Sequence, residues 1–257
     1  MNNKKQFNYD GKYSKKYYNV AFEGNRNFNK DASFLETKKH INKNSVICEF
    51  GCGDGSKLIH YKNLVKEIYG FDLSGKAIRK AKKMIPNGKF YVSDNAKIFK
   101  DNMFDVTLSF YFLEHVENPR KFINEMLRVT KKGGYVMGLC PNYGSPLVPA
   151  PKVILDKGIL GRIIVVLKRI SEYREKYKNN FFTNIKPILD REWDVDFDTV
   201  SEVYLEKLVE EYADKVIFAS SFWEAKPLIY LPFAFLGFIG IKPVTYWGFR
   251  CFFVLKK

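Results

Sequence analysis

The sequence predicts an α/β fold: a doubly wound, Rossmann-like sheet of seven mostly parallel strands, with the last strand antiparallel and a helical insertion as a cap. Between residues 45 and 140, short apolar runs alternate with segments of helical spacing, which is the pattern of βαβ units around a parallel sheet. The first apolar run also ends in a glycine-rich turn at residues 49–55, typical of the first crossover in such a sheet.

Seven apolar runs are predicted to be strands: residues 45–50, 67–71, 89–92, 104–110, 135–140, 215–222 and 249–255. Helices are predicted at residues 56–65, 74–85, 119–129, 153–170 and 199–213, and Ser74 is expected to cap the second of these. Four regions follow: an aromatic, basic lead-in at 1–44 that serves as a lid, a ligand-binding core at 45–140, an insertion at 141–214, and the last two strands with an apolar insertion at 215–257.

Length and composition fit one α/β domain with elaborations, because the 257 residues are 46% hydrophobic. The net charge of +15 suits nucleic acid, an anionic membrane or an anionic substrate, but a lysine-rich composition alone explains it equally well. The first 45 residues lack the apolar segment of a signal peptide, so a cytoplasmic location is expected. The cysteines lack metal-ligand spacing and are expected to be reduced thiols: Cys48, Cys52, Cys140 and Cys251.

The glycine-rich turn has Gly51, Gly53 and Gly55 at alternate positions, which lets the backbone approach a ligand closely. A dinucleotide-binding turn would have glycine where Ser56 stands. Glu49 precedes the turn, and its carboxylate would repel a pyrophosphate but suits a cationic or amine-bearing ligand. An ordinary tight turn between strand and helix is the alternative.

Three further signatures follow in order: Asp72 after the second strand, Leu-Glu-His-Val at residues 113–116, and Lys-Lys-Gly-Gly at residues 131–134. With the glycine turn, they make residues 46–140 resemble the class I S-adenosylmethionine-dependent methyltransferases. The resemblance implies S-adenosylmethionine as the cofactor, and this molecule carries a sulfonium and an amino group but no phosphate. The acid before the glycines is consistent with such a ligand.

Asp72 stands 21 residues after Gly51, where an acid commonly accepts hydrogen bonds from both ribose hydroxyls. The alternative is an acid that caps the following helix. The resemblance implies that Asp94, which is followed by Asn95, accepts from the adenine amino group. Five more side chains complete the expected cofactor site: Leu73 and Ala96 on the adenine faces, Cys52 in the turn, and Phe110 with Tyr111 where cofactor and acceptor meet.

His115 is the candidate general base that removes a hydroxyl proton as the methyl group arrives, and Glu114 either orients it or acts itself. The alternative is that both side chains face solvent at the start of a helix. In related quinone-pathway O-methyltransferases, a further glutamate three residues before this glutamate is linked to a divalent metal. Tyr111 occupies that position here, so no metal is predicted.

The last third of the chain is similar to methyltransferases of surface-polysaccharide and lipid-linked glycan pathways, which implies a sugar hydroxyl, or a related group, as acceptor. Residues 153–170 are apolar and basic, and residues 228–241 are apolar. Both segments suit either a substrate lid or peripheral contact with an anionic membrane. A nucleic-acid acceptor is disfavoured, because residues 109–112 are Ser-Phe-Tyr-Phe where amino-methylating enzymes carry Asn/Asp-Pro-Pro-Tyr. A non-catalytic scaffold is the third possibility.

Overall fold

The computed structural model describes residues 19, 22–148, 157–185, 188–190, 195–197, 200–222, 235, 236, 238, 240, 241 and 244–257. Its strands are β1 (Val46–Phe50), β2 (Glu67–Asp72), β3 (Lys89–Val92), β4 (Phe104–Phe110), β5 (Thr130–Pro141), β6 (Phe182–Ile185), β7 (Ile188–Asp190), β8 (Val195–Phe197), β9 (Val200–Val203), β10 (Val216–Phe222) and β11 (Arg250–Lys256). Its α-helices are α1 (Ala32–Lys38), α2 (Gly75–Met84), α3 (Pro119–Val129), α4 (Ile159–Lys176) and α5 (Leu205–Glu211).

Seven strands form the main sheet in the order β10-β11-β5-β4-β1-β2-β3. Neighbours pair in parallel except that β11 runs antiparallel to both β5 and β10. The predicted fold class, including the antiparallel last strand, is therefore confirmed. Two antiparallel pairs, β6 with β9 and β7 with β8, lie outside this sheet.

Both faces of the sheet are buried, as expected for parallel strands between helices. Ile47 and Cys48, neighbours on β1, are fully buried and pack into different apolar clusters. Ser74 caps α2 as predicted, because its hydroxyl accepts the N–H of Ala77 at 3.0 Å. This cap fixes the point at which the chain leaves β2 and turns away from the carboxyl end of the sheet.

One predicted helix is wrong and another is shorter than predicted. Residues 56–65 contain only a 3₁₀ helix, Leu58–Tyr61, whose two terminal residues are buried; their spacing of three also fits an α-helix, so the pattern did not distinguish the two. The predicted helix at 199–213 begins with a strand, because Val200–Val203 pairs with β6 before α5 starts. Tertiary pairing here overrides the helical pattern of the following residues.

Strand β5 begins five residues earlier than predicted. Thr130 pairs with Phe104 and Tyr135 pairs with Val106, so the Lys-Lys-Gly-Gly signature at residues 131–134 forms a bulge inside the strand. Gly133 in this bulge has φ +78°, which favours glycine. The helix predicted at 153–170 is α4, which runs from Ile159 to Lys176; residues 149–156 and most of the apolar run 228–241 lie outside the described residues.

Candidate functional site

A crevice of about 840 Å³ opens at the carboxyl ends of β1, β2 and β4. Open parallel sheets bind their ligands at this edge, where the strand order reverses. The glycine turn forms one wall, Asp72 the next, and residues 110–112 the wall at the end of β4. The sequence therefore brings its separate signatures to one place.

The glycine turn requires glycine at each of its three positions. Gly51, Gly53 and Gly55 have φ values of +70°, +52° and +77°. A Cβ on Gly51 would lie 2.0 Å from Cδ2 of Phe112, and a Cβ on Gly55 would lie 3.3 Å from the Cβ of Ala81 on α2. Gly51, Cys52 and Gly53 line the crevice, whereas Gly55 lies behind it and allows close packing of α2.

The Asp72 carboxylate lines the crevice in a fixed orientation. Its Oδ2 accepts the N–H of Gly53 and its Oδ1 accepts the N–H of Ser74, both at 2.9 Å. A carboxylate held toward the crevice suits the two hydroxyls of a ribose. The N-cap of α2 is Ser74, whose own N–H donates to Asp72 Oδ1.

Glu49 is buried directly behind the lining residues. Within the described part of the chain, neither of its carboxylate oxygens has a hydrogen-bond partner. Burial raises the pKa of Glu49 to about 8; Lys57 opposes this shift, and Asp72 and Asp54 add to it. Three acids around one lysine suit a cationic ligand better than a phosphate, so these residues fit S-adenosylmethionine.

The expected adenine side of the crevice is formed by the loops after β2 and β3. Leu73, Asp94, Asn95 and Ala96 all line it. Asp94 Oδ1 accepts from the Asn95 amide at 2.5 Å, and the Asn95 side-chain oxygen accepts the N–H of Lys97 at 2.9 Å. These hydrogen bonds hold the side chains of Asp94 and Asn95 in place at the edge of the crevice.

At the end of β4, Phe110 and Tyr111 line the crevice as predicted. Tyr111 has φ +58°, in the left-handed region that a tyrosine rarely adopts and that the surrounding structure must impose. Its N–H donates to Leu139 O at 2.7 Å, and its hydroxyl accepts from Arg250 Nη1 at 3.0 Å. The same Arg250 nitrogen pairs with Asp31 Oδ2 at 2.7 Å. Burial raises the pKa of Tyr111 to about 12, which keeps the phenol neutral.

His115 and Glu114 lie in the 3₁₀ helix Leu113–His115. Glu114 is buried and only a small part of the His115 side chain is exposed, so the alternative that they face solvent is wrong. His115 lines the crevice and Glu114 does not; Glu114 Oε1 lies 3.8 Å from His115 Nε2, too far for a hydrogen bond. Burial lowers the pKa of His115 to about 4 and raises that of Glu114 to about 8. Both groups are therefore mainly uncharged near pH 7.

Several lining residues were missed from the sequence: Gly24, Asn25, Asp54, Ser56, Lys57, Lys97, Phe112, Val116, Glu117, Asn118, Lys121, Phe122 and Glu125. The lead-in reaches the crevice because the Asn25 amide donates to Ser56 Oγ at 2.8 Å, and Asn25 O lies 2.9 Å from His60 Nε2. No local motif marks such contacts. Phe112 could have been predicted, because it directly follows Phe110 and Tyr111, two predicted lining residues.

The described residues contain no group of three His, Cys, Asp or Glu side chains placed to hold a metal ion. Among the same residues, no helix is both long enough and apolar enough to cross a membrane. All four cysteines are buried free thiols, and the Sγ atoms of Cys140 and Cys251 lie 3.1 Å apart on paired strands.

Residues 48–138 match the family described as "Methyltransferase domain". The chain is 25% identical over 132 residues to the demethylmenaquinone methyltransferase of Paenarthrobacter aurescens, with 51% of each protein covered. The chain spans about half the length of this relative and less than half the length of two others that it matches.

Solved structures share the fold across nearly the whole chain. The putative methyltransferase in complex with the Haloferax volcanii Trm112 methyltransferase activator has a TM-score of 0.57 at 13% identity, covering 95% of this chain and 97% of that one. The putative S-adenosylmethionine-dependent methyltransferase of Listeria monocytogenes has a TM-score of 0.57 at 15% identity, covering 88% and 98%. Residues 48–138 thus match a methyltransferase domain, the solved structures share the fold, and the lining of the crevice suits S-adenosylmethionine as the cofactor.

Proposed function

We propose that the protein transfers the methyl group of S-adenosylmethionine to a hydroxyl, or an amine, of a small molecule, specifically a sugar or a lipid-linked glycan. The observation that carries the methyl-transfer proposal is the Asp72 carboxylate, which two backbone N–H groups hold toward a crevice beside the glycine turn. The crevice continues past Phe112 to His115 and so offers room for a second reactant.

The bound cofactor supplies a methyl group on a positively charged sulfur, so the protein mainly aligns two reactants and excludes water. Asp72 would hold the ribose and Asp94 the adenine amino group, while Glu49, which a nearby cation would ionise, would favour the cationic end of the ligand. Burial keeps His115 neutral, and its imidazole can then accept the acceptor's proton as the new bond forms. Glu114 Oε1 lies 3.8 Å from His115 Nε2, and the positive charge on the imidazole would favour ionisation of this carboxyl group.

Three aromatic rings support a sugar as the acceptor, because Tyr111, Phe112 and Phe122 all line the end of the crevice where the acceptor would enter. Aromatic faces pack well against the apolar faces of sugar rings. A cytoplasmic location at the inner face of the membrane belongs to the same proposal. An RNA methyltransferase and a non-catalytic scaffold remain the alternatives that experiment must separate from it.

Calorimetry of the full chain with S-adenosylmethionine and S-adenosylhomocysteine tests the cofactor site. We expect Asp72→Ala to weaken binding roughly 10- to 100-fold, the effect of losing hydrogen bonds to a charged group. Asp214→Ala is the matched control, because Asp214 is an exposed acid that pairs with Lys215. Absence of binding by the unchanged protein would support the scaffold, and full affinity in Asp72→Ala would remove Asp72 from the site.

Methyl-labelled cofactor tests the acceptor. Label recovered in sugar or lipid-linked fractions of a cell extract would support the proposal. Label recovered only in RNA would instead support the nucleic-acid alternative. His115→Gln should slow transfer while leaving S-adenosylhomocysteine affinity unchanged, because the histidine acts on the acceptor's proton and not on the cofactor.

A further inference from the structure

Helix α4 has two apolar faces, and the described residues pack against one of them. Val166, Ile170 and Tyr173 pack into a cluster with Tyr204 and Trp247. The second face, which we call the outer face, consists of Leu160, Ile163, Ile164 and Leu167 at the spacing of successive helical turns. All four are exposed, Leu160 by 71% and Leu167 by 60%. A helix of a globular protein normally turns such a stripe toward a core.

The outer face is fixed in its exposed position by the opposite side of the helix. Arg169 Nη1 pairs with Glu202 Oε1 of β9 at 2.9 Å, and Lys176 pairs with the same buried carboxylate. Arg169 Nη2 also donates to Ser145 O at 2.9 Å. The Tyr173 ring meets the Trp247 ring edge-on at 5.1 Å. With its inner side held this firmly, α4 cannot rotate to bury the outer face.

Basic residues accompany the outer face. Residues 157–171 contain Lys157, Arg162, Lys168 and Arg169 but no acidic residue. Lys168 lies beside the outer face and pairs with the exposed Glu172 at 3.7 Å, Lys157 lies just before the helix, and Arg162 projects from the far side. An apolar stripe with lysines beside it is the pattern of an interfacial membrane helix.

Two exposed aromatic side chains lie near α4. Phe235 and Phe238 are 62% and 87% exposed, while Leu236 between them packs against the cluster that contains Val166 and Ile170. Aromatic side chains are enriched at the depth of the lipid headgroups. They extend the apolar surface beyond the helix itself.

We infer that the outer face of α4 docks on an anionic membrane surface, with its apolar side chains entering the headgroup boundary and Lys157 and Lys168 contacting anionic lipids. Charge complementarity selects this occupant, since these lysines adjoin the apolar stripe and the whole chain carries +15. A second copy of the chain would bring equal positive charges together, and a nucleic acid would not need the apolar side chains.

The docking surface is close to the proposed acceptor end of the crevice. Glu202, which anchors α4, follows Ser201, whose hydroxyl donates to Val116 O at 2.6 Å. Val116 lines the crevice. The inference rests on the proposed function for its purpose, because docking would bring the crevice to a lipid-linked acceptor.

Co-sedimentation of the full chain with vesicles tests the inference. We expect binding to vesicles of phosphatidylcholine with phosphatidylglycerol and much weaker binding to phosphatidylcholine alone. Leu160→Glu with Ile164→Glu should lower the partition coefficient at least about tenfold, because two apolar side chains leave the interface. Lys157→Gln and Lys168→Gln should each lower it roughly fivefold.

Ile217→Glu is the matched control, because Ile217 is an exposed apolar residue on β10, outside α4, and its change should leave vesicle binding intact. Equal binding by the Leu160→Glu, Ile164→Glu variant, or no binding by the unchanged protein, overturns the inference. A dimer that this double variant dissociates in gel filtration would assign the face to self-association instead. The affinity for S-adenosylhomocysteine, measured in parallel, should be the same in every variant. If the unchanged protein does not bind this ligand, the result counts against the proposed function and not against docking.

Discussion

Glu49 shows what a single buried carboxyl group does to this fold. Its pKa of about 8 means that the folded protein keeps a proton that the unfolded chain releases near its ordinary value of 4.5. Between these two values the folded state binds more protons than the unfolded state, so stability falls as pH rises. Each unit of pKa difference corresponds to about 1.4 kcal/mol.

Glu49→Gln should therefore flatten the decline of unfolding free energy between pH 5 and pH 8. The amide has no proton to lose, and it occupies nearly the same volume. Denaturant unfolding at pH 5, 6.5 and 8 measures the effect. Glu114→Gln provides a parallel case, since burial raises the pKa of Glu114 to about 8 as well. Unchanged slopes in both variants would show that neither carboxyl group titrates in this range.

Cofactor binding should release protons near neutral pH. A cation placed near Glu49 favours the ionised carboxylate and lowers its pKa, so a proton leaves when the ligand arrives. Calorimetry of S-adenosylmethionine binding in buffers of different ionisation enthalpy counts these protons. The count should fall in Glu49→Gln, and it should be smaller for S-adenosylhomocysteine, which lacks the sulfonium charge. Equal counts for both ligands would place Glu49 outside the field of the sulfonium.

At the scale of one element, the attachment of α4 depends on Glu202. Burial raises the pKa of this carboxyl group, but Arg169 and Lys176 outweigh that effect and hold it below its ordinary value. Its stabilising effect is thus complete above the unfolded pKa and is lost as pH falls through the folded pKa.

Glu202→Gln should destabilise the protein by about 3–5 kcal/mol, the cost of breaking the ion pair between the buried Glu202 and the mostly buried Arg169. Amide hydrogen exchange in residues 159–176 should accelerate more than exchange in β1 or β4. Glu210→Gln is the control, because Glu210 forms an exposed pair with Lys207 that contributes at most about 1 kcal/mol. Uniform acceleration over the whole chain would show that Glu202 supports global stability and not α4 in particular.

The sequence predicted those elements whose pattern is local. Strand β1, the glycine turn and Asp72 follow from a short apolar run, positive φ values and chain spacing, and the structure brings them together. The β6–β9 pair was missed because both strands are only four residues long and gain stability only by pairing with each other. The contact of Asn25 with Ser56 joins residues 31 positions apart, and no sequence period marks it.

At the scale of the whole molecule, the sequence predicted an apolar, basic helix at residues 153–170. It did not predict which side of this helix packs against the rest of the protein. That depends on Tyr173 and Arg169, which meet Trp247 and Glu202 only in the folded chain. The charge of +15 alone left nucleic acid, membrane and composition open. The exposed apolar face of α4 is the observation on which our inference of membrane docking rests.

Ser201 and Glu202 are neighbours on β9, so one holds the crevice loop while the other holds α4. Successive residues of a strand point to opposite sides, and a shift of β9 must therefore move both attachments together. Thermodynamic linkage then makes the two binding events reciprocal: lipid that tightens acceptor binding must itself be bound more tightly when the acceptor is present. A short strand of four residues would thereby let the enzyme reach its full affinity only where acceptor and membrane occur together.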